Sequence, residues 1–248
     1  MKKILNLVQE YGRSMEEYRI GNQVFLGENQ PYLRPYLCRG EFSKAKIILA
    51  GINPATPIYP SELPLQEYCK LLQDYYSFMA YYKAYRKREN KPVLSRTRQG
   101  ILSFVQWVEQ ELEVGVIESD ICTYPTKSIK ELNEVDSKFQ KAGRELFWEM
   151  LCKSNANCLI IYGAMAFRDF LRLQEEKGGI IKEKKQDNEK LKEMKIEELE
   201  AKSPLFSIWI GKREIFVYAV RHFMYYGKTG ASFGAVKKKL LQSYIKHI

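Results

Sequence analysis

Two residue types with chemical reach are scarce enough here to be traced one by one. His222 and His247 are the only histidines among 248 residues. His247 is next to last and expected to be solvated, so chemistry that needs an imidazole falls to His222. A second candidate lies in AKIILAGINPAT, residues 45–56. The side chain of Asn53 carries one acceptor and two donors, enough to hold a water and a substrate edge together. Gly51 lets backbone approach a ligand closely, Pro54 stiffens the turn behind, and Ala55 leaves the space in front open. Asn-Pro after a strand is also an ordinary turn-initiating pair. Ser119-Asp120 ends a further apolar run. Ser95, Arg96, Thr97 and Arg98 open a helix whose capping serine and exposed amides favour anions; Arg96 and Arg98 either grip a phosphate there or are simply solvated.

The elements that must position these residues are four short apolar runs. The first spans Ile47 to Ala50, and the others are Val114 to Glu118, Cys158 to Tyr162 and Glu214 to Val220. Such runs, separated by helical stretches, predict strands of a parallel sheet covered on both faces. The expected class is α/β, a three-layer α-β-α sandwich with a central four-stranded parallel sheet. Ligands of open α/β sheets sit in the crevice at the carboxyl ends of the strands. The runs end at Gly51, Ser119-Asp120, Gly163-Ala164 and Arg221-His222, so Asn53, Asp120 and His222 are expected around one cleft.

The rest of the chain reads as scaffold. Residues 1 to about 20 pattern as an amphipathic helix with Ile4, Leu5, Val8 and Tyr11 on one face. NQPYLRPYL, residues 29–37, is an ordered connection packed on the body. Leu65 to Tyr85 has helical apolar spacing and a basic end, Lys83, Arg86, Lys87 and Arg88, either solvated or phosphate-facing. After Ser95 a helix turns Ile101, Phe104, Val105 and Val108 to the core. Gln174 to Lys202, dense in lysine and glutamate, reads as a solvated insertion or flap, with a lid or partner arm as its functional reading. The chain is thus expected to be one domain over residues 1–248, with a charged insertion at about 174–203.

Composition narrows the partners. The formal net charge is +10, which favours a polyanion, nucleic acid first. No apolar run approaches the roughly 20 residues needed to span a bilayer, and early acidic residues argue against a signal peptide. A cytoplasmic protein with no membrane partner is expected. The five cysteines include no Cys-x-x-Cys pair and read as reduced thiols, with neither structural zinc nor an iron–sulfur cluster expected. Oligomeric state is unreadable.

After His222 comes FMYYGKTGASFGAV. Bulky apolar residues on a loop are costly to expose unless they contact something. Phe223, Met224, Tyr225 and Tyr226 either wedge into a base stack or cover the core, the latter expected for two of the four.

With these segments in place the chain resembles the uracil-DNA glycosylase superfamily. GINPA, residues 51–55, is similar to the first motif of its mismatch-specific branch, whose asparagine positions the attacking water. Arg221-His222 and the following loop fall where the superfamily carries a histidine-containing motif and an intercalating loop. CLIIYGAMAF resembles its third-strand pattern, and VIESDICTYPTKS the segment that elsewhere carries a base-reading asparagine. The match spans most of Ala45 to Leu240 apart from the charged insertion. His222 is followed by phenylalanine instead of the usual proline and serine, and the cysteine set of the iron–sulfur branches is missing.

The resemblance implies a monofunctional DNA glycosylase acting on a nucleotide flipped out of single- or double-stranded DNA, without metal or organic cofactor. It implies that Asn53 holds the water and His222 donates to the leaving base. Tyr59 is expected to stack on the base, and Phe223 to Tyr226 to fill the vacated stack. Lys127, Lys228 and Ser232 are expected to hold phosphates, with Arg96, Arg98 and Arg221 on the same surface. Asp120 stands where asparagine is expected. A carboxylate accepts from the exocyclic amine of cytosine and repels O4 of uracil; cytosine N3 then needs a donor, a protonated Asp120 or another group. Asp120 capping a turn and reading no base is the plainer alternative. Ala55 stands where the strict uracil enzymes carry a tyrosine that blocks C5, so a cytosine with a large C5 substituent, as in hypermodified phage DNA, is the expected substrate beside uracil or a mismatched base. A non-catalytic nucleic-acid-binding module on the same fold, and an enzyme of free nucleosides, are the competing classes.

Overall fold

In a computed structural model of the chain, the structure describes residues 29–178, 180–182 and 188–245. The expected N-terminal helix and His247 lie outside the described residues. The framework is one mixed sheet between helical layers. Its strands are β1 (Leu37–Cys38), β2 (Ala45–Gly51), β3 (Gly115–Asp120), β4 (Cys158–Tyr162), β5 (Ile180–Lys182), β6 (Phe206–Ile210) and β7 (Arg213–Val220). Their order across the seven-stranded sheet is β1-β3-β2-β4-β7-β6-β5.

The four strands expected from the sequence are adjacent and parallel, β2 pairing with β3 and β4, and β4 with β7. The expectation of a four-stranded, purely parallel sheet is corrected at both edges. β1 adds antiparallel to β3, while β6 folds back on β7 and β5 on β6, both antiparallel. The Gly211 backbone, at φ +61°, makes the turn of the β6–β7 hairpin.

Alternation along the apolar runs builds two cores. Ile48, Ala50, Ile117, Leu159 and Ile161 face one side with Leu146, Phe147, Phe167 and Phe170. Those aromatic and leucine residues come from α5 (Ser137–Lys153) and α6 (Ala164–Glu176). Ile47, Leu49, Val116, Ile160 and Val220 face the other side. They pack on Ile101, Phe104 and Val105 of α3 (Arg96–Glu111) and on Val236 and Leu240 of α9 (Gly234–Ile245).

The tyrosine-rich stretch divides at Asp74 into α1 (Leu65–Gln73) and α2 (Tyr75–Arg88). The Asp74 carboxylate accepts from the Tyr76 amide at 3.0 Å and the Ser77 hydroxyl at 2.5 Å, so a helix start interrupts the single helix expected there. A short α4 (Ile129–Glu134) precedes α5.

The charged insertion is not a solvated flap over its described residues. It forms α7 (Asn188–Glu193) and α8 (Ile196–Lys202). Leu191, Met194 and Leu199 are buried in the first core. Glu200 of α8 takes the Arg221 guanidinium from two nitrogens, at 3.0 and 2.8 Å, and its backbone amide at 2.8 Å, so this segment clamps the end of β7. No helix among the described residues is long and apolar enough to cross a membrane.

The loop after β7 is pressed against α3 at Gly100. A Cβ there would collide with the carbonyl oxygen of Phe223 and the Cβ of Tyr226. Gly100→Ala should therefore push the loop, and His222 with it, off the helix at a cost of about 1–3 kcal/mol. Chemical denaturation checks this, wild-type stability in the variant being the contrary result.

Candidate functional site

Beyond their last paired residues, β2 and β3 remain joined. The Ile121 amide donates to Gly51 O at 2.8 Å, Cys122 to Ile52 O at 2.9 Å, and Thr126 to Pro54 O at 3.0 Å. This zip carries the GINPA turn and the segment after Asp120 out of the sheet together. At its far end Asn53 Nδ2 donates to Thr126 Oγ1 at 2.7 Å. The Thr126 hydroxyl has one proton, and it goes to Ser128 O at 2.8 Å. Thr126 can therefore only accept from Asn53, which fixes the amide with nitrogen toward Thr126 and Pro54 O and leaves Oδ1 as an acceptor with no hydrogen bond to described residues.

Asn53, Asp120 and His222 line one cavity of about 230 Å³, as the strand-end argument expected. Arg34, Ala55, Tyr82, Arg86, Arg98 and Tyr162 share its wall. His222 is half-buried, and its Nδ1 accepts from the Met224 amide at 3.3 Å. An accepting Nδ1 is unprotonated, so the ring proton sits on Nε2. Burial lowers the pKa of this imidazole, which makes it a neutral donor near pH 7.

Gly51 has a packing role beside the one expected. A Cβ at this position would collide with the Tyr162 hydroxyl and Asp120 Oδ1. Its bareness makes room for these two side chains to converge over the end of β2. Glu118 and Asp120 share a strand face, two residues apart. Glu118 pairs with Arg98 and accepts from Tyr75 OH at 3.2 Å. Burial works to lower the Arg98 pKa, but the charge and hydrogen bond of Glu118 together with Tyr75 and Tyr162 hold it above its ordinary value.

Arg34 completes the group from the opposite loop. Its amide donates to Thr123 O at 3.0 Å, Ser119 Oγ donates to Pro35 O at 2.6 Å, and Tyr68 OH donates to Leu33 O at 2.7 Å. These bonds pin NQPYLRPYL across the end of β3 and bring the guanidinium over the Phe78 ring at 5.1 Å. Arg34 is only 7 % exposed. Burial pushes the Asp120 carboxyl up to about 7 against the pull of Arg34 and Arg98.

Several expected contacts fall elsewhere. Tyr59 is absent from the cavity wall, whose rings are Tyr82 and Tyr162. Phe223 and Tyr226 are core residues at 0 % and 2 % exposure, Phe223 stacked on Phe233 with ring centres 5.1 Å apart. Only Met224 and Tyr225 project, at 43 % and 61 %. The Ser232 hydroxyl donates to Tyr225 O at 2.7 Å and Arg221 is taken by Glu200, so both are loop and strand fasteners. Arg98 is held by Glu118 inside the cavity instead of facing a phosphate surface. Arg96, Lys127 and Lys228 are exposed.

The sequence reading missed Arg34, Thr126 and Tyr162 as site residues. Tyr162 could have been found by the strand-end rule that found Asp120. No group of three or more His, Cys, Asp or Glu among the described residues could hold a metal ion. No family model matches the chain, and no curated protein matches it.

The raised Asp120 pKa has a consequence for stability. The native state keeps its proton up to about pH 7, whereas the unfolded chain loses it near 3.8. The native state therefore binds more protons between these values, and stability falls as pH rises through that window and levels off above it. Asp120→Asn mimics the protonated side chain and should melt roughly 5 °C higher than wild type at pH 8, with the gap closing by pH 4. Thermal melts across this range check it.

Proposed function

We propose that the chain hydrolyses the N-glycosidic bond of a pyrimidine nucleotide flipped out of DNA, leaving an abasic site. The observation that carries this reading is the fixed polarity of the two central side chains. Asn53 presents a bare carbonyl oxygen and His222 a neutral Nε2–H donor to the same cavity. An acceptor that orients water and a neutral donor for a departing base oxygen are what this hydrolysis needs. The finer form of the fold, a uracil-DNA-glycosylase-like sandwich, belongs to the same proposal.

In the reaction the C1′–N1 bond lengthens and its electron pair passes to the base. The sugar becomes oxocarbenium-like while charge grows on the base oxygen. Donors aimed at that oxygen contribute most, and this is the work of His222. Asn53 Oδ1 accepts from the water and holds its oxygen toward C1′. The water oxygen bonds to C1′, one water proton is lost, and the base leaves and takes up a proton. Neither electrons nor a co-reactant beyond water are required.

DNA is favoured as partner by the net charge of +10 and by exposed groups close in sequence to the cavity. Arg96 precedes the lining residue Thr97, Lys127 follows Asn53's partner Thr126, and Met224 and Tyr225 follow His222. Met224 and Tyr225 would enter the space vacated in the stack. Ala55, exposed on the cavity wall, leaves room beside C5 of the base, which favours cytosines with bulky C5 groups over uracil.

Incubation with duplexes carrying uracil, a guanine–thymine mismatch, or hydroxymethylated and glucosylated cytosine, followed by alkali, reads abasic sites directly. Asn53→Ala should lower strand cleavage about 100-fold or more while salt-dependent DNA binding persists. Ala55→Tyr should suppress cleavage at C5-bulky cytosine and spare uracil. Binding without cleavage on every substrate would instead support a non-catalytic binding module.

A further inference from the structure

Arg34 is buried and Asp120 is half-buried, a basic and an acidic neighbour that do not touch. The charge of each acts on the other, and both line the cavity. Yet no ion pair within 4.0 Å and no hydrogen bond joins them, and the Arg34 guanidinium donates to no described residue. With the residue only 7 % exposed and opening on the cavity, a guanidinium without an acceptor among the described residues favours one placed in that cavity. Its neighbour Arg98 shows the ordinary solution, direct pairing with Glu118. A ligand that accepts from Arg34 and donates to Asp120 closes the gap.

We propose that Arg34 and Asp120 together read the Watson–Crick edge of a cytosine-type base, Arg34 donating to N3 and Asp120 accepting from the exocyclic N4 amine. This rests on the glycosylase reading above and names the substrate class of that site. Among the groups on the cavity wall, Arg34 and the Nε2–H of His222 are donors and Asp120 is an acceptor, while Asn53 Oδ1 is assigned to the water. Cytosine presents the complement, acceptors at O2 and N3 and a donor at N4. Uracil offers a donor at N3 and an acceptor at O4, which places like against like at both positions. Guanine offers two donors and one acceptor, and adenine has no acceptor beside N1 for His222. Arg34 also supplies the donor that cytosine N3 lacks when Asp120 is ionised.

The test uses the full chain on duplexes identical except for one base: cytosine, 5-hydroxymethylcytosine, its glucosylated form, or uracil. Released base is identified by mass spectrometry, and folding of each variant is checked by thermal melting. Wild type should release a cytosine-type base in preference to uracil. Arg34→Gln should lower that release about 10- to 100-fold without raising uracil release. Asp120→Asn, which regains an amide that can donate to O4 and accept from N3–H, should lower cytosine-type release and raise uracil release. Arg34→Lys, keeping charge but not the fork, should fall between wild type and Arg34→Gln, and serves if Arg34→Gln does not fold. An unchanged ratio of cytosine-type to uracil release in the Arg34 and Asp120 variants overturns the proposal and leaves the glycosylase reading standing. So does a wild-type preference for uracil. No base released from any duplex by wild type overturns both.

Discussion

The structure depends on how four ionisable groups are held at the carboxyl ends of its parallel strands. Burying two guanidiniums and two carboxyls in one small space is unfavourable unless each charge meets its opposite. Half of the group obeys this: Arg98 pairs with Glu118, and Tyr75 adds a hydrogen bond. The other half does not: Arg34 and Asp120 line the same cavity without an ion pair, and burial holds the Asp120 proton up to about pH 7. Stability surrendered in a cleft is a mark of a functional position.

Everything around the cavity keeps this arrangement from relaxing. The β2–β3 zip from Gly51 to Thr126 fixes Asn53 and Asp120 on one rigid pair of strand extensions. Gly51 leaves space for Tyr162 and Asp120, and Gly100 lets the His222 loop lie directly on α3. From the far side, Glu200 of the charged segment locks Arg221 beside His222. Fold and site are thus one construction: removing a methyl group's worth of bulk at two glycines permits the packing that aims three side chains inward.

The parallel core was legible because buried strands must be continuous apolar runs, and their ends are where an open α/β sheet presents side chains. That single rule placed Asn53, Asp120 and His222 correctly around one cavity. It left out what depends on non-local partners. Arg34 sits in a proline- and tyrosine-rich connection whose path is set by bonds to Ser119, Thr123 and Tyr68, none of which has a local signature. In residues 188–202 the density of lysine and glutamate masked the few apolar positions, Leu191, Met194 and Leu199, that bury the segment. Phe223 and Tyr226 share composition with Met224 and Tyr225, and only the turn after His222 decides which rings face the core.

The most direct test of the central claim is the structure of the Asn53→Ala protein bound to a duplex with one C5-modified cytosine. The account predicts the nucleotide flipped out of the stack, its base in the cavity with N3 at Arg34, N4 at Asp120 and O2 at His222. A base still stacked in its duplex, or DNA lying on another face of the molecule, would contradict it.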